Sequence, residues 1–423
     1  MQLLIPPTLI VALFSCNNTV GENSNVQNLP KTMITALVWA PDWSEEMHQI
    51  AIEFTKTHPQ IDVDVQFMIG NSVEENIKPK VAANNLPDIM SVNPNAYSAE
   101  LADQGILADV SGSAAWNNML DSLKQDWVSK TNKHFGISGG VAATLIYYNK
   151  EMFKRAKITA LPTNFEEFLR VCEQLKKADM TPIVLSGAYP NALANGPFSF
   201  GFANNVVPNQ PDWKMKIGNG SLNFNTPEVA NIFAKIKLLA DRNYVQKGYM
   251  TTGYAAGIDL FTKGNAAMAF QGTWASGRLI QGNHFETGVF LPPWNAVGQR
   301  TIPVIGSETG FAVCETKNKQ AALQFLEFIY GKGFQIEQNK RQNIPPMKKM
   351  EGKVVSDSQI INYISTISQS PVTVSPYYSF LPASTIDMLH PLLQQVLFGK
   401  ITPKNAAKMI DLSIKNEAQK HYN

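Results

Sequence analysis

The sequence predicts an α/β fold in which helices flank mostly parallel sheets. Residues 34–39 (ITALVW) have the apolar run of a strand, and residues 61–67 (IDVDVQF) alternate apolar and polar side chains. The segment between them, 44–58, repeats apolar residues with helical spacing. Its apolar side chains share one face: Met47, Ile50, Ala51 and Phe54. Strand, helix and strand in succession indicate parallel pairing through right-handed crossovers.

The same alternation continues along the first third of the chain. A second helix is expected over 72–85, with Pro79 kinking or splitting it, and a third strand over 87–92. Ligands of parallel sheets gather beyond the carboxyl ends of the strands. The three ends are at 39–43, 68–72 and 93–97.

A second unit with the same alternation begins near residue 145. Thr163 and Glu166 have the spacing of a capping box at the start of one of its helices. A helix that stops at Gly264 is followed by a short apolar strand, 266–270. The other expected elements are strands at 181–187 and 308–315 and helices at 318–340, 384–397 and 403–417.

Length and composition allow large buried cores and suggest two or three folding units. The chain has 423 residues, of which 44% are hydrophobic and 17% charged. Its 36 basic and 34 acidic residues leave a net charge of +2, which gives no electrostatic reason to expect a nucleic-acid partner. No apolar run in the body of the chain reaches the length of a membrane span.

The amino terminus has the pattern of an export signal. Residues 3–15 are apolar, and a polar tract, predicted to be a flexible tether over 17–30, follows. The sequence Leu13-Phe14-Ser15-Cys16 resembles the lipobox of bacterial lipoproteins, which implies a signal peptide over 1–16 and lipidation of Cys16. Phe14 is bulkier than that pattern favours, and no basic residue precedes the apolar run. The alternative is a buried apolar segment.

The remaining cysteines predict no chemistry. Cys172 falls on the apolar face of a helix and Cys314 within a strand pattern, so both are expected to be buried structural thiols. No His or Cys spacing suggests a metal site, and no cofactor is implied.

Four segments in order resemble one known family. They are 81–112, with its Pro-Asp strand and a helix followed by QGIL; 139–177, with Tyr-Tyr-Asn and Pro-Thr-Asn; 259–274 (DLFTKGNAAMAFQGTW); and 310–329. Together they resemble the extracellular solute-binding proteins of carbohydrate ABC transporters, the family that includes maltose-binding proteins.

The resemblance implies a two-lobed periplasmic-binding-protein fold of type II, the Venus-flytrap arrangement. It divides the chain into lobe 1, residues 31–141 plus 308–345, and lobe 2, residues 142–307 plus 346–423. Hinge crossings are expected near 140–144, 304–307 and 344–346. The implied protein is a monomer, exported and anchored through Cys16, that delivers a sugar or oligosaccharide to ABC transporter permease subunits and catalyses no reaction.

A sugar presents flat C–H faces that stack on aromatic rings and hydroxyls that pair with planar polar groups. Side chains of these types follow the expected strand ends. The expected ligand-binding residues are Trp39, Asp42, Trp43, Asn71, Asn93, Asn95, Tyr97, Gln271, Trp274 and Glu308, with Tyr189, Tyr377 and Tyr378 as weaker candidates. Each has an ordinary alternative: one of Trp39 and Trp43 is core, Trp274 packs under a loop, the asparagines cap turns, and Glu308 is a solvated carboxylate.

Two other functions remain open from the residues alone. One is binding of a different solute, such as an amino acid or polyamine; the only arginine near the candidate loops is Arg278, expected on a solvated helix surface. The other is a secreted hydrolase. Residues 136–140 (GISGG) fit the nucleophile-elbow pattern around Ser138, but a strand rather than the required helix is expected after them. His284 and His390 have no partner motif.

Overall fold

A computed structural model gives the fold and describes residues 31–40, 43–69, 72–282, 284–352 and 358–420. The expected export signal, tether and lipobox lie outside the described residues. Within these ranges there are nine strands: β1 Thr32–Val38, β2 Ile61–Phe67, β3 Ile89–Val92, β4 Val141–Asn149, β5 Ile183–Val184, β6 Met268–Gly272, β7 Thr287–Phe290, β8 Ile305–Ser307 and β9 Gly310–Val313.

Helices separate most of the strands. Those in the described residues are α1 Ser44–Thr57, α2 Val73–Ala82, α3 Ala96–Asp103, α4 Ala114–Asn118, α5 Asp121–Lys124, α6 Lys150–Arg155, α7 Phe165–Lys177, α8 Pro190–Leu193, α9 Ser199–Asn205, α10 Trp213–Gly218, α11 Pro227–Asp241, α12 Tyr254–Thr262, α13 Ser276–Gln281, α14 Lys319–Phe328, α15 Phe334–Arg341, α16 Ser358–Ser368, α17 Ala383–Leu397 and α18 Pro403–Lys420. Short π-helical turns join α8 to α9 and α14 to α15.

The first sheet has the strand order β2-β1-β3-β9. β1 pairs in parallel with β2 from Thr32–Ile61 to Val38–Phe67, and it also pairs in parallel with β3. The late strand β9 returns to pair antiparallel with β3. The predicted strand–helix–strand pattern is confirmed here, and the carboxyl ends of β1 and β3 lie at one edge of the sheet.

The second sheet has the order β5-β6-β4-β7, with β8 also paired to β4. Only β5 and β6 run parallel, whereas β6, β7 and β8 all pair antiparallel with β4. The expectation of a mostly parallel sheet is therefore wrong for this half. The long strand β4 has three partners, all from later parts of the chain, and all three run in the opposite direction to β4.

The three expected hinge crossings lie side by side. The Val141 amide donates to the Ile344 carbonyl at 2.9 Å, and the Glu308 amide donates to the Gly140 carbonyl at 3.0 Å. The strands of the first sheet fall in the sequence ranges expected for lobe 1, and those of the second begin at the first crossing. Met347 forms a bridge with Met119, so the chain just after the third crossing contacts lobe 1. The division into lobes stays a prediction.

Three local expectations differ from the structure. α2 runs unbroken through Pro79. The N-cap of α7 is Asn164 rather than Thr163. The Asn164 side chain accepts a hydrogen bond from the Glu167 amide at 3.0 Å, so the capping interaction lies one residue later than expected. The helix expected over 318–340 is interrupted by the π-helical turn Ile329–Gly333, because Gly331 takes non-helical angles.

Both described cysteines are buried, as predicted. Burial raises the pKa of the Cys314 thiol to about 12 and that of Cys172 further still. Neither thiol is therefore ionised at neutral pH.

Candidate ligand cleft between the two sheets

A cleft of about 1060 Å³ of empty space, including its open mouth, lies between the two sheets. Its walls come from both halves of the chain: the ends of β1 and β3 and the start of α2 on one side, and the end of β6, the α8 region and α17 on the other. Eight Trp, Tyr and Phe side chains line it: Trp39, Trp43, Tyr189, Tyr254, Trp274, Phe311, Tyr377 and Tyr378. The lining thus combines flat apolar surface with many polar groups, as a small-molecule site requires.

Trp274 lies in the one-turn helix that directly follows β6. A Cβ atom added to Gly272 would meet the Trp274 ring at 2.1 Å, so the indole lies against the backbone of the strand end. Gly272 leaves room for the ring to lie there. The side chain stays half-exposed on the cleft wall, where a flat ligand face could stack on it.

The two tryptophans after β1 differ in exposure. Trp39 is half-buried, and its amide donates to Ser91 Oγ at 2.9 Å. Trp43 is buried, with Phe311 at its edge and the Arg341 guanidinium carbon 5.1 Å from its ring centroid. Both reach the cleft, and Trp39 offers the more accessible face.

The tyrosines of the opposite wall are held by hydrogen bonds. Tyr377 Oη and His390 Nε2 lie 2.8 Å apart, and Tyr378 Oη donates to the Ser307 carbonyl at 2.8 Å. Burial raises the pKa of both phenols well above 10, so both stay neutral. The Tyr189 and Tyr254 rings contact each other with centroids 5.2 Å apart.

Asn195 supplies an unsatisfied polar group. It lies in the π-helical turn Ala194–Phe198, is only 6% exposed, and lines the cleft. Its Nδ2 donates to Asn191 Oδ1, but its own Oδ1 has no hydrogen-bond partner in the described structure. Leaving a buried amide oxygen unpaired costs about 1–3 kcal/mol, which a hydroxyl donor from a ligand would recover.

Glu74 is a cleft residue that the sequence reasoning missed. It is the second residue of α2, and its Oε1 accepts from Asn93 Nδ2 at 2.9 Å and from Asn95 Nδ2 at 2.6 Å. Asn95 also caps α3 through the Ser98 amide, and Asn93 Oδ1 accepts from Thr309. The two asparagines therefore hold the carboxylate in place. Glu74 follows the carboxyl end of β2, where ligands of parallel sheets gather, and this position could have identified it as a candidate from the sequence.

Glu308 lies at the cleft but its oxygens are already paired. Its Oε2 accepts from Arg341 Nη2 at 2.5 Å and Asn343 Nδ2 at 3.2 Å, and Oε1 contacts Thr273 Oγ1 at 3.4 Å. Burial raises the pKa of this carboxyl, while the Arg341 charge opposes the rise. Arg341 Nη1 also pairs with Glu337. The expectation that Glu308 binds sugar hydroxyls therefore conflicts with a carboxylate held inside the hinge.

Other expected site residues are placed away from the cleft wall. Gln271 is buried in β6, paired with Leu145, and Tyr97 lies beside Lys78, whose Nζ is 5.5 Å from its ring. Asp42 and Asn71 lie outside the described residues. Arg278 lies on α13 and forms a partly exposed ion pair with Asp259 at 2.9 Å.

The enzyme signatures are not assembled. The Ser138 hydroxyl is buried and donates to the Gly140 carbonyl at 2.7 Å, and the strand β4 follows it, as expected, where a nucleophile elbow needs a helix. Across the described ranges, no group of three or more His, Cys, Asp or Glu side chains could hold a metal ion. No helix in those ranges has the length and apolarity to span a membrane.

The sequence profile of the bacterial extracellular solute-binding proteins matches residues 40–336, well over half of the chain. The chain belongs to this family. The match confirms the resemblance noted in the sequence and makes this chain a solute-binding protein, in a family whose members are binding proteins rather than enzymes.

Curated relatives of this solute-binding protein are distant and match it over three quarters or more of each chain. The multiple sugar-binding protein of Streptococcus mutans is 23% identical over 330 residues, 75% of each chain. The melibiose/raffinose/stachyose-binding protein MelE of Bacillus subtilis is 20% identical over 420 residues, 95% of this chain and 93% of its own.

Solved structures share the fold of this solute-binding protein. A chitin oligosaccharide binding protein superposes with a TM-score of 0.80 at 19% identity, covering 92% of this chain and 99% of its own. The binding protein RafE in complex with raffinose gives 0.77 at 20% identity, covering 91% and 99%. A sugar transporter protein of Bacillus licheniformis in complex with stachyose gives 0.76 at 17%, covering 90% and 98%. The predicted periplasmic-binding-protein fold is confirmed.

Proposed function

We propose that this protein captures a sugar or oligosaccharide between its two lobes and delivers it to the permease of an ABC importer. The observation that carries the proposal is the cleft: Trp39, Trp274, Tyr189 and Tyr254 line it together with amide groups such as the unpaired Asn195 oxygen. Ring faces and fixed amides are the two kinds of group that a sugar needs. The saccharide-binding relatives support the same class of ligand.

Amino acids and polyamines fit this cleft less well. An amino acid needs a cation for its carboxylate, but Arg341 is committed to two glutamates. A polyamine needs unpaired carboxylates along its length, and of the described lining residues only Glu74 is not bound to a cation.

The first test is thermal unfolding of the protein without residues 1–16 against a panel of mono-, di- and oligosaccharides, including raffinose, stachyose and chitin and xylan fragments. A ligand present at a hundred times its dissociation constant stabilises the folded form by about 2.7 kcal/mol. We expect a shift with at least one saccharide, and recovery of that saccharide intact. A shift with amino acids or polyamines alone would contradict the proposal, and loss of the sugar during incubation would indicate a hydrolase.

Trp274→Ala tests the stacking surface directly. Removing the indole exposes one sugar face to water, which we expect to weaken binding by roughly 1.5–3 kcal/mol, about tenfold or more in Kd, by isothermal titration. Trp274→Phe keeps a flat ring and serves as the matched control, with most of the affinity retained. Equal affinity of the alanine variant and the parent would make Trp274 a packing residue.

We also propose that Cys16 carries a lipid that anchors the protein at the outer face of the cell membrane. The lipobox-like sequence and the following polar tract support this placement. In cells, Cys16→Ser is expected to move the protein from the membrane fraction to the soluble fraction. Soluble parent protein would rule out the anchor without affecting the ligand assignment.

A further inference from the structure

The Glu74 carboxylate is fixed so that one oxygen is free for a ligand. Both asparagine amides bind Oε1, and within the described residues Oε2 accepts no hydrogen bond and the carboxylate has no cationic partner. The side chain is half-buried on the cleft wall. Tyr377 lines the same cleft, and after burial the Glu74 charge is the next cause that raises the pKa of its phenol.

The rest of the described lining does not balance this charge. Its one permanent cation is Arg341, which is bound to Glu308 and Glu337. His390 stays neutral because burial lowers its pKa to about 4. The cleft therefore carries net negative charge, in a region where reduced solvation strengthens electrostatic interactions.

We propose that Glu74 sets the charge selectivity of the cleft, so that it accepts uncharged or cationic saccharides and rejects those that bear a carboxylate. Glu74 Oε2 accepts a hydrogen bond from a sugar hydroxyl, whereas a uronate brought to the same place meets a like charge. The saccharide class rests on the proposed function. The net negative charge of the cleft does not depend on that function.

Tryptophan fluorescence measures that property without any sugar. Of the seven tryptophans, only Trp39 and Trp274 are half-exposed, and both line the cleft; the other five are buried. The experiment compares how strongly iodide and caesium quench the tryptophan fluorescence of the purified protein at low ionic strength. Glu74→Gln is expected to raise the ratio of iodide to caesium quenching about two- to threefold.

Glu45→Gln is the matched control, since Glu45 is likewise the second residue of its helix but is exposed and does not line the cleft. It should leave the ratio unchanged. An unchanged ratio in Glu74→Gln, with a melting temperature near that of the parent, would overturn the proposal. If Glu74→Gln does not fold, the iodide-to-caesium quenching ratio of the parent is compared with that of free N-acetyltryptophanamide. An equal ratio overturns the proposal, and a lower ratio in the protein supports it.

Matched saccharides then test selectivity: galactobiose against digalacturonate, and xylotriose against the same trisaccharide carrying a glucuronate. We expect the parent to bind the acidic member at least about tenfold more weakly, and Glu74→Gln to narrow that gap. Equal or tighter binding of the acidic member refutes the selectivity while leaving saccharide capture intact. Absence of binding to every saccharide refutes the proposed function, and the iodide result still decides the charge of the cleft.

Discussion

The Arg341 guanidinium lies between the buried carboxyl groups of Glu308 and Glu337 and against the Trp43 ring. One cation cannot fully compensate two carboxylates removed from water. Burial accordingly raises the pKa of Glu337 to about 7, the Arg341 charge opposes that rise, and the Glu308 charge adds to it. The group thus holds a proton at mildly acidic pH that an unfolded chain would release.

The pH dependence of stability follows from this difference. Between the unfolded pKa of 4.5 and the folded pKa of about 7, the folded state binds more protons at Glu337, so its contribution to stability falls as pH rises. Glu337→Gln removes this contribution. We expect the free energy of unfolding of the parent, relative to the variant, to drop by on the order of 2 kcal/mol from pH 5 to pH 8 in denaturant titrations. Glu315→Gln, in an exposed pair with Lys319, is the control. Parallel curves for parent and Glu337→Gln would refute the assignment.

At the residue level, the sequence indicated the aromatic residues of the cleft better than its charged residues. Trp39, Trp43 and Trp274 follow strand ends, and a strand end can be recognised from a local pattern. The Glu308–Arg341 pair joins residues 33 positions apart, and Glu74 is oriented by asparagines 19 and 21 positions away. No local pattern contains those pairings, so Glu308 looked free and Glu74 was overlooked.

Strand β6 delivers Trp274 to the cleft because Gly272 ends it. Gly272→Ala should not strain the backbone, since its φ is −88°. The new Cβ would instead collide with the indole, and we expect the ring to leave its place and saccharide affinity to fall nearly as far as in Trp274→Ala. Calorimetric titration checks the affinity, and near-UV circular dichroism checks the ring. Gly253→Ala, which has nothing within 4 Å of its added Cβ, is the control. Unchanged affinity would mean that the ring is not held by this contact.

The helices that could be predicted were those whose apolar residues recur with regular helical spacing. α1, α17 and α18 were expected within a few residues of where they lie. The run from α8 to α9 was not, because Pro190, Gly196, Pro197 and Gly201 interrupt a helical pattern. Packing overrides them there: Phe198, Phe200 and Phe202 in this run are fully buried. The same irregular run places Asn195 on the cleft wall.

On the scale of the whole molecule, the parallel half of the fold was predictable and the other half was not. β1, β2 and β3 follow one another with a helix between each pair, so their parallel direction follows from sequence order, although β3 pairs with β1 rather than with β2. β4 pairs with strands that begin more than 120 residues later, and only the resemblance to a known family indicated that these segments meet. Direction of pairing over such a distance depends on tertiary packing.

Lys78 of α2 and Asp387 of α17 form an ion pair at 2.7 Å that joins the two walls of the cleft. Their side chains are 38% and 58% exposed, so the pair stabilises the contact by at most about 1 kcal/mol and weakens with salt.

If the lobes close on ligand, this ion pair forms on closing and slows the release of the ligand. Lys78→Ala and Asp387→Ala should each speed saccharide dissociation by less than about fivefold in stopped-flow at low salt, and by nothing at high salt. The double variant should match the single ones, because the interaction is lost once. Lys56→Ala removes a comparable exposed pair within α1 and should leave the rate alone. Additive effects, or effects that persist at high salt, would mean that the two residues do not act as a closing contact.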